Sequence, residues 1–307
     1  MILYVTGDLF QSPAQVLVNT VNTVGVMGKG VALQFRRLFP DMFEQYREMC
    51  ERGQFRTGTL WLYKSPNKWV LNFPTKEHWR SPSRIEYITA GLRCFGSHYT
   101  EMGIHSIALP ALGCGNGQLE CASQVRPEME RYLRNLPIDV FVYPHTDSHV
   151  VAEHHDQQAM RQWLTSEPAS LPFAEVWEDI SRLLEHRSVF RTLTTGREFS
   201  ILPVADPSGL EILASGDKRH YIPYDALLAF WQQLRTHGFS NRRIAPGIDR
   251  RMSYIMPLFA DLPYVQLVQT AESYGKLNQS PATGLQVLPS AFAQHRESQQ
   301  LSLFELA

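Results

Sequence analysis

"NTVNTVGVMGKGVALQF", residues 19–35, is the stretch on which the fold turns. It leaves an apolar, β-branched run (16–21) and enters an apolar helical pattern. Between them it packs two Asn, three Gly and a Lys. A plain strand-to-helix turn needs only one or two such residues. Gly28 and Gly30 allow positive φ and close backbone approach, and the N–H groups of a helix start are unpaired and attract anions. Residues 25–30 therefore read as a phosphate cradle. The pattern is neither GxGxxG nor a P-loop, because no GK[ST] follows.

Moving outward, "ALPALGCGNGQLE", residues 108–120, repeats the design: an apolar strand, three Gly (113, 115, 117) and a helical pattern. Two such loops at strand ends of one sheet can hold a diphosphate between them, in the crevice where α/β sheets bind ligands. Near the start, "VTGDLF" sets Asp8 directly after the first strand, as a turn cap or as an acceptor for an exocyclic amine.

The surrounding pattern is an alternation. Strands are expected at 2–5, 16–21, 58–63, 69–73, 106–110 and 140–143, each short, apolar and bounded by turn residues. The clearest helix is 82–99, where Ile85, Ile88, Leu92, Phe95 and Tyr99 recur at helical spacing and Pro82 suits the first turn. The expected fold class is α/β: a mixed central sheet with helices on both faces, in three layers, followed by a smaller α+β domain.

The chain has 307 residues, enough for about two domains of roughly 100–200 residues each. With 44% hydrophobic and 19% charged residues and a net charge of -1, it reads as a packed protein without a global basic surface. No signal peptide or apolar run of membrane-spanning length is read, so no membrane partner is expected. The four Cys (50, 94, 114, 121) lack CxxC spacing. Reduced thiols, a cytoplasmic location and no metal or other cofactor are the expectation. Cys114 reads as a small packed side chain, and His145, His149, His154 and His155 as surface residues.

Domains are expected at 1–155, with a helix near 156–164 and a linker to 172, then at 173–277, with a flexible tail over 278–307. In the second half, short strands with Pro-Ser-Gly and Ser-Gly-Asp turns precede a helix over 224–236 ending at Gly238, then two more short helices. Arg242, Arg243, Arg250 and Arg251 offer an alternative contact for DNA phosphates, weakened by Asp249 and the neutral total.

"VTGDLF…VLVNTVNTVGVMGKGVA…ALPALGCGNGQLE" resembles the macrodomains, an ADP-ribose-binding family, over about residues 1–150. The resemblance implies Asp8 on adenine and Asn22 at the distal ribose, with Leu9 and Asn19 also among the ligand-binding residues. It implies a diphosphate held by Gly28, Lys29, Gly30 and Val31 on one side and by Gly113, Cys114, Gly115, Asn116 and Gly117 on the other. "NFPTKEHWRSPSRIEYI", residues 72–88, is similar to the DNA ADP-ribosyl glycohydrolase branch, the DarG-type antitoxins of DarT/DarG toxin–antitoxin systems. There a lysine after the fourth strand is implied to be catalytic; here it is Lys76. A related glycohydrolase pairs such a lysine with an Asp in the second Gly loop, where this chain has Gly117.

Cleaving the bond from ribose C1 to a nucleobase passes through an oxocarbenium-like state. Two readings of Lys76 stand: attack on C1 as a neutral amine, which needs a depressed pKa, or hydrogen bonding to the leaving base. His78, Trp79 and Arg80 are candidate DNA contacts, with Trp79 stacking on a base or packed in the core.

"GLEILASGDKRHYIPYDALLAFW" and "RMSYIMPLFADLPYV" resemble a small module of bacterial defence proteins. The resemblance as a whole implies a C-terminal part that binds the cognate DNA ADP-ribosyltransferase toxin, and ADP-ribosylated single-stranded DNA, with thymidine as the modified base, as substrate. In the tail, Gln300, Leu301, Leu303 and Phe304 resemble a peptide that docks on the DNA sliding clamp. The alternatives are a non-catalytic ADP-ribose reader, a hydrolase of ADP-ribosylated protein carboxylates, and a protein inhibitor with a vestigial macrodomain.

Overall fold

The computed structural model describes residues 1–144, 151–214, 216, 218–241, 248, 251–271, 276–277 and 281–288. The chain divides into two compact units, Met1–Met160 and Arg161–Ala307.

The first unit is built on a six-stranded sheet. Its strands are β1 (Ile2–Tyr4), β2 (Val16–Val21), β3 (Trp61–Lys64), β4 (Trp69–Pro74), β5 (Ser106–Pro110) and β6 (Asp139–Tyr143). They lie in the order β1-β6-β5-β2-β4-β3, all parallel except β3, which runs antiparallel to β4 at one edge. The helices are α1 (Gly30–Leu38), α2 (Pro40–Glu51), α3 (Ile85–His98) and α4 (Arg126–Leu133). The expected strands and the α3 helix are present within about three residues at each end, as element boundaries read from a sequence should be.

Strand periodicity makes the three layers. Val16 and Val18 of β2 point to one side with Leu71 and Phe73, where Ile88, Leu92 and Phe95 of α3 cover them. Leu17 and Val21 point to the other side, under Phe35 of α1 and Met42, Phe43 and Tyr46 of α2. Gly91 lets α3 approach: a Cβ there would come 2.3 Å from the Phe73 ring. Both faces of the sheet are thus buried, which is why its central strands read as continuous apolar runs.

Helix α5 (Gln157–Ser166) carries the boundary between the units. The second unit begins with a helix that was not expected, α6 (Phe173–His186). Antiparallel strands β7 (Val189–Arg191), β8 (Glu198–Val204), β9 (Gly209–Ala214) and β10 (Lys218–Pro223) form one sheet. Helix α7 (Tyr224–His237) ends on left-handed Gly238, as read from the sequence. A second sheet, β11-β13-β12, joins β11 (Phe239–Asn241), β12 (Val265–Thr270) and β13 (Ala282–Val287), with α8 (Met252–Ala260) between the first two in sequence.

Two expectations need correction here. Residues 165–172 are not an open linker: Leu171 is buried, and its carbonyl accepts from Trp231 Nε1 at 3.0 Å and from Arg235 at 2.8 Å. The stretch from 278 is not wholly a tail, because β13 is the central strand of its sheet; its alternating Leu285 and Val287 are buried. Of the two short helices expected between β11 and β12, the second is α8, and the stretch expected to hold the first falls largely outside the described residues. Arg251 donates to the Tyr221 carbonyl at 2.8 Å. Arg242, Arg243, Asp249 and Arg250, the tail motif Gln300, Leu301, Leu303 and Phe304, and His145 and His149 lie outside the described residues. Among the described residues no helix is long and apolar enough to cross a membrane.

Candidate active site

A cavity of about 360 Å³ opens at the C-terminal ends of the parallel strands of the first unit, within the size range of small-molecule sites, roughly 300–1,000 Å³. It lies where the topology places a ligand crevice. The turn after β1, the loop after β2, the segment after β4 and the loop after β5 all line it.

Asp8 reaches the cavity and also caps the short 3-10 turn Leu9–Gln11, accepting from the Phe10 N–H at 2.9 Å. The capping reading of Asp8 is thus met. Leu9 and Phe10 line the same end.

The first Gly loop is braced from inside. Asn22 is buried; its Oδ1 accepts from the N–H groups of Val24 at 3.1 Å and Val26 at 3.2 Å, and its Nδ2 donates to the Val26 carbonyl at 2.7 Å. The Tyr46 hydroxyl lies 2.8 Å from the Asn22 carbonyl. Burial pushes that hydroxyl well above the usual tyrosine range, so it stays a donor. Positive φ falls at Gly25 and Gly30, not at Gly28. Gly30 begins α1, and Lys29, Gly30, Val31 and Ala32 present the helix start to the cavity. No side chain caps those N–H groups. Gly28 and Asn19 sit behind this wall rather than in it. Asn19 is buried, donating to Asn72 Oδ1 at 2.9 Å across the β2–β4 register.

The second loop faces the first closely: a Cβ on Gly30 would meet the Asn116 amide at 2.8 Å. Gly113, Gly115, Asn116 and Gly117 line the cavity. Cys114 does not; its sulfur is bonded to Cys121, seven residues on, with the Cα atoms 5.6 Å apart. This corrects the expectation of four reduced thiols. The bond fastens the loop to the segment that leads into α4, and Cys50 and Cys94 remain free.

Lys76 sits between the loops. Thr75 extends the β2–β4 ladder by donating to the Val21 carbonyl at 2.9 Å, and Thr23 donates to the Glu77 carbonyl, so both sides of Lys76 are stitched to β2. The Lys76 ammonium donates to the Asn116 carbonyl at 2.7 Å and is buried at 5% exposure. Burial lowers its pKa from the ordinary lysine range, partly offset by a carboxylate.

That carboxylate is Glu153, which sequence reasoning missed. It starts the 3-10 turn Glu153–His155, is 7% exposed, and places Oε2 3.6 Å from Lys76 Nζ. Burial raises its pKa, with Lys76 and then Lys29 pulling the other way. His154 and His155 hold the turn in place. His154 Nε2 lies 2.8 Å from Gln118 Oε1, and Gln118 Nε2 lies 3.2 Å from His155 Nδ1. Gln118 itself adopts a left-handed φ of 61°, a conformation a non-Gly residue seldom adopts. Neither histidine is an idle surface group, since both grip the second loop. No sequence motif flagged Glu153; the one available signal was a lone acid amid histidines just past the last strand.

Trp79 corrects the DNA-stacking expectation. It is completely buried, with the Arg80 guanidinium 4.3 Å above its ring, so no base can reach its faces. His78 and Arg80 are half-buried; the Arg80 N–H donates to His78 Nδ1 at 3.1 Å.

Comparison with known proteins agrees with this architecture. The Macro domain family matches residues 18–126. The chain is 47% identical over 148 residues to a DNA ADP-ribosyl glycohydrolase of Thermus aquaticus, a match covering 47% of this chain and 41% of that protein. The chain thus spans less than half the length of this relative. It is 41% identical over 158 residues to a DNA ADP-ribosyl transferase–DNA ADP-ribosyl glycohydrolase fusion protein of Thermosipho africanus, covering 45% and 40%. Among solved structures, the macrodomain of Mycobacterium tuberculosis DarG is 43% identical, with 48% of this chain and 99% of that one covered, at a TM-score of 0.46.

Proposed function

We propose that this chain, whose residues 18–126 match the Macro domain family, is a DNA ADP-ribosyl glycohydrolase of the DarG type. It removes ADP-ribose from a base of single-stranded DNA, with thymidine as the modified base. The observation that carries this reading is the buried Lys76, held between two glycine loops that face each other across one cavity. Burial lowers the pKa of this amine, and groups perturbed in this way gather at catalytic sites.

Asp8 and Leu9 take the adenine end, the α1 start takes the diphosphate, and Lys76 faces C1 of the distal ribose. The N–H groups at the α1 start supply anion affinity without a cation, and Lys29 adds charge. His78 and Arg80, next to Lys76 in sequence, meet the DNA strand. Relatives named as glycohydrolases, and one fused to the transferase that makes the mark, support this substrate. The second unit is assigned the neutralisation of that transferase.

The test is release of ADP-ribose from an ADP-ribosylated single-stranded oligonucleotide. Wild type releases it, and Lys76→Ala loses roughly 10³-fold or more in rate while still binding ADP-ribose in calorimetry. Binding without release by the wild type would make the chain a reader. Release from modified protein carboxylates, but not from DNA, would reassign the substrate.

A further inference from the structure

We propose that Glu153 is the proton partner of Lys76: the carboxylate that takes the lysine's proton before C1 is attacked and hands it to the departing base. The inference rests on the glycohydrolase reading and supplies a carboxylate that the second glycine loop lacks.

Three observations carry it. First, Gly117 has no space for an acid. A Cβ there would lie 2.2 Å from Ser83 Oγ and 2.3 Å from the Gly113 carbonyl, and the Ser83 N–H donates to the Gly117 carbonyl at 2.9 Å, locking the contact. Second, Glu153 lines the same cavity from another direction and stands 3.6 Å from Lys76 Nζ. Third, its turn is fixed to the second loop through both histidines and Gln118, so the carboxylate and the loop that binds Lys76 form one assembly.

Burial disfavours charge on both partners, raising the carboxyl and lowering the amine. A neutral acid beside a neutral amine is therefore within reach, and only the neutral amine can attack. Glu153 takes a proton from Nζ. The Nζ lone pair forms the bond to C1 as the C1–base bond breaks, its electron pair going to the base nitrogen, which takes the proton from Glu153. Water then forms the C1–O bond as the C1–Nζ bond breaks, and the water proton restores the ammonium. The balance is one water consumed, one ADP-ribose released and the base left unmodified in its strand.

Other ionisable groups interact with the pair. Lys29 lowers the Glu153 pKa; Lys76 and His155 lower that of His154, which burial depresses most; Glu153 adds a small upward push on Tyr46. Glu153 is the acidic neighbour that raises Lys76.

The experiment measures kcat and KM against pH for wild type, Glu153→Gln and Glu153→Asp on the modified oligonucleotide, with ADP-ribose affinity measured in parallel. Expected for Glu153→Gln is a kcat loss of about 100-fold or more, with KM and ADP-ribose affinity within a few-fold of wild type. In wild type the acid limb marks a second proton loading onto the Lys76–Glu153 pair; without the carboxylate it marks protonation of the lysine alone, so it moves to higher pH. Glu153→Asp keeps the limb near its wild-type position and recovers part of kcat. The inference is overturned if Glu153→Gln turns over like wild type, if its acid limb does not move, or if Gln and Asp lose ADP-ribose binding alike. A wild type that releases nothing refutes the glycohydrolase reading instead, and Lys76→Ala run alongside separates the two failures.

Discussion

Loop 22–30 and loop 111–118 leave neighbouring strands of one sheet and meet across one cavity, yet they are held by opposite means. The first is held by polar groups turned inward: Asn22 satisfies two backbone N–H groups and a carbonyl, and Tyr46 sits beneath it. The second is held by exclusion and by ties to other segments. Ser83 fills the space beside Gly117, Cys121 is bonded to Cys114, and Gln118 grips the turn that carries Glu153. The first loop therefore offers the ligand backbone N–H groups, which suits an anion. The second offers Lys76 a carbonyl and has no space for an acid of its own. Similar Asn/Gly composition conceals two loops braced in opposite ways, one suited to binding and the other, on the proposal above, to organising chemistry.

The sharpest way to break this contrast is Gly117→Asp, which restores an acid to the second loop. The Gly113 carbonyl is backbone and cannot rotate away, so the loop must shift. Overpacking of this kind costs about 1–3 kcal/mol or more. The expected result is a clear fall in the thermal midpoint, with both turnover and ADP-ribose binding lost. A Gly117→Asp protein that melts and turns over like wild type would show that this position tolerates an acid and that the steric contrast is wrong.

Asn22→Ala tests the other side. It strands the buried N–H groups of Val24 and Val26, at about 1–3 kcal/mol for each unsatisfied group. Since about 1.4 kcal/mol is tenfold in affinity, ADP-ribose binding should weaken by about tenfold or more, measured by calorimetry. The residual kcat at saturation should fall less than it does for Glu153→Gln. Equal losses in kcat would place Asn22 in the chemistry rather than in the brace.

What the sequence disclosed follows the same division. Six strands, α3 and both loops were legible because period-2 and period-3.6 patterns and glycine clusters are local signals. Lys76 was legible through resemblance, since "KEHWR" alone reads as a turn. Asn19 was placed at the ligand, but its position inside β2, rather than after it, buries it against Asn72. The pairing of Glu153 with Lys76, and the grip of Gln118 on His154 and His155, depend on segments that the sheet brings together, while the Cys114–Cys121 bond is local and depends on the path of the loop. Helix α6 could have been found. Phe173, Val176, Ile180 and Leu184 repeat at helical spacing and are buried, while the prolines at 168 and 172 give the preceding stretch the local signal of a linker.

Gln118→Ala gives the smallest expected effect and the finest test of the contrast, because Gln118 touches the chemistry only through others. Its side chain holds His154 at 2.8 Å and His155 at 3.2 Å, and those residues follow Glu153 directly. Both contacts are partly exposed, so their loss should cost only about 0.5–1.5 kcal/mol each. Alanine keeps the left-handed strain that Gln118 already bears, about 1 kcal/mol or more. If the second loop organises chemistry, this loosening should lower kcat several-fold and leave ADP-ribose affinity almost unchanged. Gln118→Gly relieves the strain and still removes the grip, so it should restore stability without restoring kcat. If Gln118→Gly instead recovers full turnover, the histidine grip is dispensable and the turn holds Glu153 by its own packing. Such a result would leave the two loops differing in what they exclude but not in what they hold.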